Sequence, residues 1–140
     1  MLRIYPVMLE IVALLQPVII QIARRDPDLA RQIRRAQSSG PLNVAEGMYS
    51  RGANRLARYH DALGSMCETR ACVEVAQAAG YVGRVEVGLE RRFDYVIGSL
   101  VRLVDGPRVH VRRVARVRVR PRALSPAHGS RGWTSELTNL

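Results

Sequence analysis

Four stretches of the chain repeat apolar residues at helical spacing, separated by short breaks of charged residues, glycine or proline. In the first, Ile4, Met8, Ile11, Leu15, Val18 and Ile22 step by four and three in turn, a heptad-like seam. Val7, Leu14 and Ile19 widen it, so two sides of a helix over residues 4–23 are apolar. Such a helix is either central to an assembly or in a membrane. Glu10, Gln16, Gln21, Pro6 and Pro17 all fall within the roughly 20 residues that a span requires. A signal peptide would need an uncharged apolar region and a small-residue cleavage site, and neither is clean here. Burial between subunits, without membrane attachment, is the expectation.

The pattern continues after Arg24-Arg25-Asp26-Pro27-Asp28, where Asp26 suits an N-cap and Pro27 the first helical position. The second segment turns Leu29, Ile33, Ala36 and Gly40 inward, with Arg31, Arg34 and Arg35 off that line. Gly40-Pro41 is expected to break its register, because Pro41 leaves the Gln37 carbonyl without its helical donor. A third helix is predicted from about Ala53-Asn54 to Ala79, with Gly80 as its stop. Its inward face is Leu56, Tyr59, Leu63 and Met66, and Arg51, Arg55 and Arg58 form a basic stripe opposite. The fourth begins near Val85, repeats Leu89, Phe93, Val96, Leu100 and Leu103, and ends at Asp105-Gly106-Pro107. Together these predict an all-α, antiparallel up-down-up-down four-helix bundle over residues 1–106.

Composition adds a second region. Of the 22 basic residues all are arginine, and residues 107–140 hold eight of them against a single acid, Glu136. Seven of these are Arg108, Arg112, Arg113, Arg116, Arg118, Arg120 and Arg122. Valines alternate with them, but a lone strand has no partner in a helical protein. A flexible basic C-terminal arm is therefore expected. A net charge of +10 concentrated in this way favours a polyanion or an acidic protein surface as partner. Aromatics make up only 5%, so the core must be aliphatic and base-stacking platforms scarce.

One stretch, Ser38 to Thr69, contains residues that no periodicity explains. Gly64 and Ser65 interrupt the third helical pattern where a small residue would suit a close helix crossing. The series Ser39-Gly40-Pro41-Leu42-Asn43-Val44-Ala45-Glu46-Gly47, then Arg58-Tyr59, then Gly64-Ser65 with Glu68, resembles the "four helix bundle protein" family. Its members were first noticed as reading frames in intervening sequences of bacterial 23S ribosomal RNA genes. The resemblance spans about residues 4–104 and implies an antiparallel four-helix bundle, commonly a homopentameric ring, without known catalysis. It implies packing roles for Asn43, Glu46, Gly47, Gly64, Ser65 and Glu68. A related branch is similar to the accessory protein of diversity-generating retroelements, which binds the reverse transcriptase and nucleic acid. Pro17 within the first helix and the arginine arm depart from the family pattern.

The residues themselves offer little catalysis. No Glu has a His three residues later, as a di-iron bundle needs. His60 and Asp61 point apart on a helix, and Cys67 has no histidine placed to activate it. Cys67 and Cys72 lie on different faces about 7.5 Å apart along the axis, too far to bridge. With no metal pattern and no phosphate loop, neither enzyme chemistry nor a cofactor is expected, and a reducing cytoplasm is the simplest compartment. Phosphate-backbone contact through Arg24, Arg25, Arg31, Arg34, Arg35, Arg51, Arg55 and Arg58 is the leading expectation, with RNA or DNA bound irrespective of sequence. The competing expectation is a ring-forming scaffold that binds a protein partner. Glu86, Glu90 and Asp94 recur every four residues, an acidic stripe suited to an arginine stripe on a neighbouring subunit.

Overall fold

A computed structural model describes residues 2–106; the expected arm, with Arg108 to Arg122, lies outside the described residues. Four helices occupy them: α1 (Ile4–Ala23), α2 (Pro27–Tyr49), α3 (Gly52–Ala78) and α4 (Val87–Asp105). Consecutive helices pack side by side and α4 returns against α1, the up-down-up-down arrangement of a four-helix bundle. The pairing of α2 with α3 is the most extensive, and that of α1 with α4 the thinnest.

The helix ends follow local chemistry. Asp26 caps α2, its Oδ1 accepting from the Leu29 amide at 2.9 Å, with Pro27 in the first turn. At the end of α3, Gly80 adopts φ +73°, the Tyr81 amide donates to the Ala76 carbonyl and the Gly80 amide to that of Gln77. This is the pair of bonds of a Schellman stop, and it requires a residue tolerant of the left-handed region.

The core is aliphatic, with Met8, Ile11, Leu15, Ile19 and Ile22 of α1 against Ile33, Val44, Met66, Val96 and Leu100. On α1 the buried position is Ile19 rather than the expected Val18, which is half-buried. A strict alternation of four and three demands 3.5 residues per turn, and an unsupercoiled helix at 3.6 drifts by one position over a few turns. Likewise α3 buries Tyr59, Ala62, Met66, Thr69 and Val73, leaving Leu63 half-buried and Leu56 exposed. On α4 Leu89, Phe93, Val96 and Leu100 are buried as the spacing predicts, and Leu103 packs beside them.

Gly40-Pro41 does not break α2, which runs on to Tyr49. The residue before a proline is crowded out of the helical region mainly by its own Cβ, which Gly40 lacks. The Pro41 ring is buried in the bundle, which compensates for the lost hydrogen bond. Pro17 is also accommodated within α1, on the exposed side, as is Ala13, whose carbonyl it leaves without a helical donor.

Gly40, expected to face inward, and Gly47, for which the resemblance implied a packing role, mark the close crossing of α2 and α3. A Cβ on Gly40 would stand 2.7 Å from Met66 Sδ, and one on Gly47 would overlap the Tyr59 ring. Gly64, by contrast, is exposed and a Cβ there would meet nothing within 4 Å, so it is not the packing residue that the resemblance implied. Tyr59 and Met66 face inward as the spacing predicts, and Gly64, five residues after Tyr59 and so about 140° round the helix, falls on the outer side. Gly47→Ala should therefore cost about 1–3 kcal/mol through overpacking. Gly64→Ala should be neutral or stabilise by up to about 1 kcal/mol through helix propensity. Urea unfolding of the two variants checks this, and equal effects would contradict the crossing.

Candidate nucleic-acid interface

The α2–α3 contact is apolar on its core side and polar on its outer side. Outside, Ser65 Oγ lies 2.9 Å from Ser39 Oγ, and Asn43 Nδ2 donates to the Ser39 carbonyl and hydroxyl at 3.0 and 3.1 Å. Arg58 Nε pairs with Glu46 Oε2 at 2.9 Å, and its Nη1 reaches Asn43 Oδ1 at 3.4 Å. Gln32 Nε2 donates to Glu68 Oε1 at 3.1 Å. These bonds line a groove of about 520 Å³ that includes Arg35, Leu42, Asn43, Glu46, Arg58, Ser65 and Glu68. Asn43, Glu46, Ser65 and Glu68 therefore do bridge the two helices as implied, but through surface polar bonds. Each exposed ion pair is worth at most about 1 kcal/mol, so the network sets register more than stability.

A second depression continues along Asp28, Arg31, Gln32, Arg35 and Glu68. Among the described residues the arginines expected at the interface are exposed, strung along α2 and around both of its ends. Arg24 and Arg25 lie at the α1–α2 turn, Arg31, Arg34 and Arg35 on the first half of α2, Arg51 at the α2–α3 turn, and Arg55 and Arg58 in the first two turns of α3. The 23 residues of α2 cover about 35 Å, so the two ends of the set are far apart. Arg31 pairs with Asp28 and Arg58 with Glu46, while Arg24, Arg25, Arg34, Arg35, Arg51 and Arg55 have no acidic partner among the described residues. Arg55 Nε donates to the Ser50 carbonyl at 2.7 Å, which holds its guanidinium over the turn.

The acidic stripe is only partly open. Asp94 accepts from Arg70 Nη1 at 2.8 Å, tying α3 to α4 within the chain, while Glu86 and Glu90 are exposed without a basic partner among the described residues. Asp94 is thus engaged within its own chain, and the bond to it, with a smaller one to Glu74, holds Arg70 above the ordinary arginine range. Arg92 makes the corresponding link to Glu10 of α1 at 2.7 Å. These two cross-helix pairs were not legible in the sequence, since they depend on which faces the bundle brings together.

Among the described residues no three or more His, Cys, Asp or Glu cluster to hold a metal ion. Sequence reasoning also missed Leu42, Tyr49 and Leu56, large side chains left exposed on α2 and at the start of α3. Their spacing from the buried set was the available sign. Leu42 and Tyr49 sit seven apart on α2, Leu42 one position after the buried Pro41 and Tyr49 two after the buried Gly47.

The geometry defines a helical-bundle protein with an arginine-bearing outer edge. The model of the family described as 23S rRNA-intervening sequence protein matches residues 9–91, which cover all of α2 and α3 and most of α1, and the chain belongs to that family. No curated protein and no solved structure shows significant similarity to it.

The cysteines provide a check on the packing. Cys67 is exposed, whereas Cys72 is buried, and burial, with Glu68 nearby, pushes its thiol up from the ordinary range. A maleimide at pH 7 should label one thiol in the native protein and two in denaturant, as mass spectrometry would show.

Proposed function

We propose that the chain is a non-enzymatic accessory protein that binds RNA or DNA through its phosphate backbone. The observation that supports this most is the run of exposed arginines along α2 and the α2–α3 turn, six of them without an acidic partner among the described residues. The seven arginines between Arg108 and Arg122 add a second cationic region in the sequence. Neutralising phosphates releases their counterions, a gain that ignores base identity. The groove beside Arg35 and Arg58 carries polar rather than reactive groups, in keeping with binding instead of turnover.

The proposed acting form is a homo-oligomer, a pentamer by the family resemblance, with a reverse transcriptase as one candidate protein partner. Leu9 and Ile20 stay about half exposed on the outer side of α1, at 47% and 54%, and this uncovered apolar surface supports assembly with another copy. α1 is long and apolar enough to cross a membrane, but Ile4, Met8, Ile11, Leu15, Ile19 and Ile22 are spent on the bundle core and Glu10 on Arg92. The same outer side favours the second reading, a ring-forming scaffold that binds a protein and no nucleic acid.

Filter retention of RNA and DNA separates the two. The full chain should bind, with a log–log salt slope of about −0.7 to −0.9 per phosphate contacted. Deleting residues 107–140 should weaken binding and flatten the slope, and Arg35→Gln, Arg51→Gln and Arg55→Gln together should remove most of what remains. No retention at low salt would favour the scaffold. For assembly, light scattering should return a mass above the monomer, and Glu86→Arg with Glu90→Arg should lower it. Asp94 is left unchanged in that test because its loss would also cut the α3–α4 link.

A further inference from the structure

We infer that Tyr49 is a stacking platform for an unpaired base, so that the α2–α3 turn selects single-stranded over double-stranded nucleic acid; this rests on the nucleic-acid reading above. The chain has one Phe, one Trp and five Tyr. Phe93 and Tyr59 are buried, Tyr5 and Tyr81 are partly buried against the core, Tyr95 on α4 is 44% exposed, and Trp133 lies outside the described residues. Tyr49, the last residue of α2, is 90% exposed, so the fold itself makes almost no use of its ring. Its surroundings are cationic. Arg51 follows two residues later, and Arg55 is held at the same turn by its bond to Ser50. The nearest acid on α2, Glu46, one helical turn below, is already engaged by Arg58.

The same face of α2 extends the site. Leu42, 62% exposed, lies two turns below Tyr49 and lines the groove that begins at Arg35. From Arg35 to Tyr49 is about 21 Å along the helix axis. An extended single strand can place phosphates against Arg35, Arg51 and Arg55, a sugar or base edge on Leu42, and a base face on Tyr49. A duplex keeps its base faces stacked on one another and offers the tyrosine nothing except at its ends. Stacking on an aromatic ring is tolerant of base identity and adds to the phosphate term.

The experiment uses the full chain, a fluorescently labelled unstructured RNA oligonucleotide and a duplex of equal length, followed by anisotropy across a salt series. Tyr49→Ala should weaken single-strand binding about thirtyfold, the middle of the range for loss of one stacked base. It should leave duplex binding within twofold and the salt slope unchanged, because no cation is removed. Tyr49→Phe should bind as the unmodified chain does. Arg51→Gln with Arg55→Gln should instead flatten the slope for both ligands. Single-strand binding unaffected by Tyr49→Ala, or lost in equal measure for the duplex, would overturn the inference while leaving the phosphate reading intact. A drop in light-scattering mass in Tyr49→Ala would overturn it too, placing the ring between copies of the chain. An unmodified chain that binds neither ligand would overturn both.

Discussion

The rest of the bundle is set by the seating of the Tyr59 ring against Gly47. Only a residue without a Cβ lets the ring enter, and once it has entered, the rotation of α3 about its axis is no longer free. Arg58, adjacent to Tyr59, then points to the groove, where it meets Glu46 and Asn43. Two turns on, Ser65 falls opposite Ser39, and Glu68 falls within reach of Gln32. The core side of the same rotation carries Met66 over Gly40. Asn43, Glu46 and Gly47 on one helix and Arg58, Tyr59 and Ser65 on the other are thus the two halves of one interlock.

What the sequence made legible were features with local causes. The extent of α1, the cap at Asp26 and Pro27, the stop at Gly80 and the buried row of α4 depend on neighbours in the chain. Gly40-Pro41, Gly64 and Val18 misled for a common reason. Each was read by local preference or an idealised repeat, and each is decided by what lies across the bundle. Pro41 is tolerated because its ring is buried and Gly40 precedes it. Gly64 faces outward because Tyr59, about 140° round the helix from it, faces the core. Of the candidate site, the exposed arginines were legible as residues off the apolar lines. The groove, the commitment of Asp94 to Arg70 and the exposure of Tyr49 were not, because they arise only when two helices meet.

Electrostatics in this chain is organised by exclusion. An aliphatic core with few aromatics has no place for guanidinium groups, and the acids that are available are partly used up at helix junctions. Glu10 holds α4 to α1, Asp94 holds α4 to α3, and Glu46 holds α3 to α2. At the start of α2 Asp26 caps the helix and Asp28 meets Arg31, but Arg24, Arg25, Arg51 and Arg55 at its ends have no acidic partner among the described residues, and positive charge accumulates there. Burial of apolar surface, which drives folding, thus also determines where a polyanion finds unopposed charge.

The unequal strength of the helix pairings has a consequence for how the molecule breathes. α2 and α3 are consecutive, joined by the two residues Ser50 and Arg51, and share the largest contact, so their pairing closes a short loop. α1 and α4 come from opposite ends of the described chain and share the smallest. Partial opening therefore begins at the α1–α4 seam and uncovers one flank of the core, while the α2–α3 hairpin persists as a cooperative unit with the slowest-exchanging amides. The edge that carries the arginines belongs to that last unit to loosen, so it keeps its shape while the other side of the bundle opens.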